Sequence, residues 1–246
     1  VTTALAVASG GTRGIGLALS RRLISLGHHV VGLYHRDAVQ ARAAAAELGE
    51  RFTPIACDVA DPDQVTAAVE EAVSRFGAPR VLVNNAGLNI DKPFADLDVE
   101  SWRRVVDVNL TGPFLLTKAV VPHMAGADDP VIVNIGATTG IRPRLNGANY
   151  CASKAGLLQL TKCLALELAP HIRVNCLIPG MTETAELRDR FNLDDPASRK
   201  AVLGEIPLDR IGTTENVADA LEFLVSKGSS YISGQRLIVD GGQFMW

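Results

Sequence analysis

The sequence predicts an α/β protein built on one doubly wound parallel sheet of about seven strands, with helices on both faces. Three observations predict it. Short apolar runs alternate with longer stretches of helical period, the alternation continues from end to end, and no composition break or Ser/Gly/Pro-rich linker interrupts it.

Strands are expected over residues 4–8, 29–34, 53–57, 81–84, 131–135, 173–178 and 236–239. Most are apolar throughout, as a sheet covered on both faces requires. Helices are expected over 14–26, 38–48, 62–76, 99–123, 150–168 and 215–225. Asp61 and Asp98 precede periodic stretches as N-caps do, and Gly27 and Gly49 follow helices as left-handed stops do. One domain is expected over 1–246. Residues 181–212, the one long segment without strong periodicity, read as a partly helical flap over a binding site.

A chain of 246 residues buries a sizeable core without disulfides or metal. With 47% hydrophobic and 21% charged residues it is not a disordered chain, and a net charge of −3 implies no nucleic-acid footprint. No apolar run approaches the roughly 18–20 residues that span a bilayer, and no basic segment precedes the early glycines. A cytoplasmic protein is expected. Cys57, Cys151, Cys163 and Cys176 form no C-x-x-C pair and read as buried free thiols. His28, His29, His35, His123 and His171 lack metal-ligand spacing and read as surface or helix-end residues, so no metal is expected.

The first strand runs into Ser9-Gly10-Gly11-Thr12-Arg13-Gly14-Ile15-Gly16, and a helix follows. Glycines let the backbone approach a pyrophosphate, and the helix N-terminus points free N–H groups at it. The spacing is G-x-x-x-G-x-G, which differs from the usual G-x-G-x-x-G dinucleotide fingerprint. At the end of the second strand, Tyr34 stands where an acid would bind the adenosine ribose and favour NAD(H). Arg36 and Arg13 instead suit a 2′-phosphate, so NADP(H) is preferred and NAD(H) kept as the alternative. The other reading makes both arginines solvated, with Asp37 neutralising Arg36.

Further motifs follow in order: Asn84-Asn85-Ala86-Gly87, Asn109 in VDVNLTG, Tyr150-Cys151-Ala152-Ser153-Lys154, Pro179-Gly180, and Ser233-Gly234-Gln235 before Val239-Asp240-Gly241-Gly242. With the glycine turn they resemble the short-chain dehydrogenase/reductase family over essentially the whole chain, most closely its 3-oxoacyl-carrier-protein reductases and ketoreductases. The resemblance implies a Rossmann-like fold and hydride transfer between a nicotinamide and a carbonyl/alcohol pair. It implies that Asn109 holds a water, that Lys154 holds the nicotinamide ribose, and that Asp58 and Val59 meet the adenine. Asn85, Ala86 and Gly87 would line the cofactor's path, and Pro179, Gly180, Thr182 and Thr184 its carboxamide end.

Tyr150 and Lys154, i and i+4 on one helix, face the same way. A neighbouring ammonium favours the phenolate, so Tyr150 is expected to exchange a proton with the substrate oxygen and to have a lowered pKa. One position departs from the family pattern: Ala137 stands where a serine hydroxyl usually steadies that oxygen. Losing one such donor costs about 10²–10³ in rate. Thr138 is the favoured substitute, with Asn146, the substrate itself, or weak catalysis as alternatives.

Asp194-Asp195 read as solvated loop charges in preference to an acid pair. Arg142-Pro143-Arg144 reads as a solvated loop or as a greeting for an anionic substrate. The acidic Gly126-Ala127-Asp128-Asp129 turn tells somewhat against a carrier-protein partner. The apolar ending Gln243-Phe244-Met245-Trp246 suits the homotetramer usual in the family. Three functions are carried: an NADPH-dependent ketoreductase for a β-keto or cyclic ketone, an NADP-dependent alcohol or polyol dehydrogenase, and a cofactor-binding protein with little catalysis.

Overall fold

The computed structural model describes residues 4–245. β1 (Leu5–Ser9), β2 (His29–Tyr34), β3 (Phe52–Ala56), β4 (Pro79–Asn84), β5 (Val131–Ile135), β6 (Arg173–Pro179) and β7 (Arg236–Val239) form one sheet. Its order is β3-β2-β1-β4-β5-β6-β7, and every pairing is parallel. β1 lies between β2 and β4, so the winding reverses there and opens a crevice beyond the strands' carboxyl ends.

Alternate side chains of each strand enter opposite cores, and both cores are apolar, which explains the continuous runs. On one face Ala6, Ala8, Val81 and Val133 pack with Leu19 and Leu23 of α1 (Gly14–Ser25) and with Leu221 of α9 (Thr214–Val225). On the other, Leu5, Val7, Leu82 and Ile132 pack with Val65 and Val69 of α3 (Pro62–Phe76) and Leu116 of α5 (Gly112–Val120). The remaining helices are α2 (Ala38–Leu48), α4 (Val99–Val106), α6 (Ala148–Glu167), α7 (Ala185–Phe191) and α8 (Pro196–Leu203).

Asp61 and Asp98 are the expected caps: each carboxylate accepts backbone N–H bonds from the first turn of α3 or α4. Gly27 and Gly49 both take positive φ. The single helix expected over 99–123 is corrected. It runs as α4, a π-helical turn at Asp107–Thr111, α5, and a 3₁₀ turn at Val121–His123. Gly112-Pro113 marks the break, and the bare Gly112 lets Val59 approach: a Cβ there would lie 2.9 Å from Val59 Cγ2.

Two smaller corrections follow from burial. Cys57, Cys151 and Cys176 are buried, but Cys163 is exposed on α6. His28 is buried, with its ring Nδ1 3.2 Å from Ala4 O. Residues 181–212 carry α7 and α8 around a small apolar cluster of Leu193, Ile206 and Ile211. An isolated bridge between Thr182 and Gly212 pinches the two ends of this segment together. Trp246, part of the apolar ending, lies outside the described residues. Among the described residues no helix is long and apolar enough to cross a membrane.

Candidate active site

Several motifs leave the carboxyl ends of strands, and Asn109, Tyr150 and Lys154 join them from helical turns. After β1, Gly10 and Gly14 take φ of +63° and +51°, a region L side chains rarely adopt. A Cβ on Gly16 would stand 2.0 Å from Gly10 O, and one on Gly10 2.9 Å from Asn85 Nδ2. Thr12 is buried, Ile15 half-buried, and Arg13 and Gly14 exposed. Arg13 at the N-cap of α1 makes no capping bond, whereas Asp37, Asp61 and Asp98 cap α2, α3 and α4. The first N–H groups of α1 therefore face the crevice without a side-chain partner, as an anion site requires.

At the end of β2, Tyr34 is half-buried and Arg36 exposed. Asp37 accepts the Gln40 N–H at 2.9 Å, and among the described residues neither Arg13 nor Arg36 has an ion-pair partner. After β3, Asp58 pairs with Arg104 at 2.9 Å and lies 3.3 Å from His35 Nε2. Burial pushes its carboxyl up, but the bonds from Arg104 and the Ala60 N–H outweigh burial and hold it below its ordinary value. Val59 is buried beside Gly112.

After β4, the Asn85 amide donates to Ser9 O at 3.0 Å and Gly10 O at 3.2 Å. The N–H groups of Asn85 and Ala86 both donate to Ser9 Oγ at 3.0 Å. A Cβ on Gly87 would stand 3.7 Å from Asn109 Oδ1 and 3.9 Å from Lys154 Nζ, so these two side chains meet at the space Gly87 leaves open. Asn109 sits in the π-turn, a distortion often found at functional positions. Its Nδ2 donates to Leu88 O at 2.9 Å and Ser153 Oγ at 3.1 Å, and its Oδ1 accepts the Leu88 N–H at 2.7 Å.

Tyr150 and Lys154 share the first turns of α6. Lys154 Nζ donates to Ile135 O at 2.8 Å and lies 5.8 Å from the Tyr150 ring centroid. Burial pulls the Lys154 ammonium down to about 8. Burial also pushes the Tyr150 phenol up to about 12. The expected lowering by Lys154 is therefore corrected: desolvation dominates, and the foremost charge opposing it is Arg144.

After β6, Pro179 ends the strand and the Gly180 N–H donates to Val239 O at 2.9 Å. Thr182 is buried, its hydroxyl 3.3 Å from Gly180 O. Thr184 caps α7, and its methyl lies 3.7 Å from where a Cβ on Gly14 would stand. The β6–α7 connection thus reaches the glycine turn.

A family model described as enoyl-(acyl carrier protein) reductase matches residues 10–243. The chain belongs to the short-chain dehydrogenase/reductase family. It is an NAD(P)-dependent oxidoreductase. It is 38% identical over 245 residues to 3beta-hydroxysteroid dehydrogenase 1 of Eggerthella lenta, covering 98% of this chain and 93% of that one. It is 38% identical over 237 residues to the 3-oxoacyl-[acyl-carrier-protein] reductase FabG of Thermotoga maritima, covering 95% of each. Among solved structures, a glucose/ribitol-type short-chain dehydrogenase/reductase from Brucella melitensis superposes with a TM-score of 0.92 at 31% identity, covering 100% of this chain and 98% of that one.

The crevice fits the dinucleotide that this family uses. Glycines hold the backbone open where a Cβ would fill it, the N-terminus of α1 is uncapped, and Gly87 leaves room beside Lys154 and Asn109. Around the departure at position 137, Ala137 is extended and Thr138–Gly140 form a 3₁₀ turn. The Thr138 hydroxyl has no partner among the described residues. Thr139 Oγ1 is buried and also unpartnered.

Asn146 and Arg142 are exposed. Arg144, half of the solvated-loop reading, is instead clamped: it pairs with Asp91 and bonds Asn89. Asp194 pairs with Arg188, and Asp195 caps α8. Asp129 of the acidic turn is held by Arg173 and Arg80, so its charge is not free. Sequence reasoning missed Ser9, Ser153 and Asp91 as supports of the site. Ser9 stood in the quoted turn, and its hydroxyl was the one signal available.

Proposed function

We propose that this chain reduces a ketone to a secondary alcohol with NADPH, acting on a β-keto or cyclic substrate of modest size. The observation that carries the reading is the convergence at Gly87, where Lys154 and Asn109 meet beside the Tyr150 ring. When bound, the cofactor supplies the hydride. Tyr150 gives its phenolic proton to the substrate oxygen, and Lys154, held by Ile135 O, keeps a positive charge within reach of the ring and of the nicotinamide ribose hydroxyls. Burial pushes the phenol up, so Tyr150 holds the proton that reduction delivers to the substrate oxygen.

Asn109 closes the relay: its amide is fixed by Leu88 and Ser153 while its oxygen faces the Gly87 space, where a water would join it to Lys154. Thr138, whose hydroxyl has no partner among the described residues, takes the place of the donor missing at Ala137. Gly10, Thr12, Gly14, Ile15 and Gly16 hold the pyrophosphate, and Arg13 and Arg36, both without ion-pair partners among the described residues, take the 2′-phosphate. The ketoacyl substrate in the FabG name and the 3-hydroxysteroid in the other relative's name mark the two classes to test first. Residues 181–212, pinched at Thr182 and Gly212, serve as the substrate flap.

The experiment follows loss of NADPH absorbance against ketoacyl thioesters and cyclic ketones, with Tyr150→Phe as the control. A member of the panel turns over, kcat/KM is higher with NADPH than with NADH, and the phenylalanine variant loses at least about 10²-fold. A higher kcat/KM with NADH, or full activity in the variant, overturns the reading.

A further inference from the structure

We propose that Arg144 is a positioning residue for Tyr150: its guanidinium, clamped by Asp91 and Asn89 over the phenol ring, fixes the ring and favours the ionised phenol. This role rests on the reading of Tyr150 as the proton carrier.

The geometry is that of a built support. Arg144 grips the Asp91 carboxylate with two bonds of 2.7 and 2.6 Å and bonds Asn89 Oδ1 at 2.9 Å, a planar fork that leaves little freedom. Its Cζ lies 5.5 Å from the Tyr150 ring centroid. Gly147 makes this possible, because a Cβ there would stand 3.0 Å from Arg144 Cζ. Two further bonds hold the same loops together: Lys92 N–H to Asn146 O at 2.9 Å, and the Asn149 amide to Ile90 O at 3.0 Å.

The ring therefore has two cations within 6 Å of its centroid, Lys154 and Arg144. A phenolate spreads its charge into the ring, so a cation near the ring stabilises the phenolate more than the phenol. The other groups that bear on Tyr150 are Arg190, acting in the same direction, and Glu186 and Cys151, acting against it. Asp91 binds Arg190 as well as Arg144, so one carboxylate compensates both guanidiniums.

That sharing gives a test in which the two partners of one ion pair move the phenol in opposite directions. The protein is prepared with its tyrosines replaced by 3-fluorotyrosine, whose phenol ionises at lower pH, and fluorine NMR follows each ring. Tyr150→Phe assigns the signal among Tyr34, Tyr150 and Tyr231. Arg144→Gln raises the Tyr150 midpoint by about one pH unit or more, and Asp91→Asn, which frees two cations, lowers it. Arg144→Lys, which keeps the charge without the fork, stays closer to wild type than Arg144→Gln.

A clamp with a purely structural role would move the midpoint the same way in Arg144→Gln and Asp91→Asn, and that result overturns the proposal, as does no movement in either. The titration uses neither substrate nor cofactor. Opposed shifts without ketone reduction would therefore sink the ketoreductase reading alone, and ketone reduction without opposed shifts would sink only the role of Arg144.

Discussion

At position 137 the chain carries a methyl group where the family usually places a hydroxyl, and what replaces it is a question about one side chain. The strand alternation stops there: Ala137 is extended, and the next three residues turn through a 3₁₀ helix. The turn rests on the helix that carries Tyr150, for a Cβ on Gly140 would stand 2.8 Å from Lys154 C. A threonine at the start of that turn, half-buried and with a hydroxyl unpartnered among the described residues, has the chemistry required. Thr138→Ala should lower kcat at least about tenfold with a smaller effect on KM, as loss of a donor to developing negative charge does. An unchanged kcat removes Thr138 from the mechanism. The tyrosine and lysine were legible in the sequence because their geometry is local, one helical turn. Ser9 and Asp91 were not, because their partners lie 76 and 53 residues away and only the folded sheet brings them together.

Elements were legible where their boundaries carry a chemical signal. The caps at Asp61 and Asp98 were read correctly, because such a cap needs a specific side chain, and the glycines after α1 and α2 take positive φ, though Gly49 is not in the left-handed helical region. The break in the 99–123 stretch was missed because its apolar period continues across the π-turn, and Gly112-Pro113 alone recorded the interruption. The start of α9 was placed one residue late for a related reason. Thr213 and Asn216 form a reciprocal capping box, with Asn216 where a Glu or Gln is the usual sign. That box stands directly after Gly212, whose bridge to Thr182 closes the α7–α8 segment, so one cap secures both α9 and the end of the segment. Thr213→Ala should cost about 1 kcal/mol, seen in calorimetry as a fall in Tm of about 2–4 °C. No change in Tm would show that the Arg22 pairs with Asp219 and Glu222 hold α9 without the box.

At the scale of the molecule, the parallel sheet sorts two jobs to two ends. The glycine turn, Asp58-Val59, Asn85-Ala86-Gly87 and Pro179-Gly180 leave the carboxyl ends of β1, β3, β4 and β6, and Asn109, Tyr150 and Lys154 join them from helical turns. The motifs were legible in the sequence, whereas the β1/β4 reversal that gathers them is a property of the folded sheet. At the opposite end lies a buried histidine, His28, which sequence reasoning had read as a surface or helix-end residue. His28 lies between α1 and β2, its Nδ1–H donating to Ala4 O just before β1. Burial holds its pKa below the ordinary 6.5; the bond to Ala4 opposes that shift and the charge of Arg80 adds to it. The sign follows from linkage. With the folded value depressed, the unfolded chain takes up the proton first, so the contribution of His28 to stability is complete above about pH 6.5 and is lost as pH falls through the folded value. Asp58, also held below its ordinary value, gives way only at lower pH, in the carboxylate range. The urea midpoint should therefore be lower at about pH 5 than at about pH 7.5, and His28→Gln should shrink that difference. If the variant keeps the whole difference, the acid sensitivity arises elsewhere and the buried imidazole is not its source.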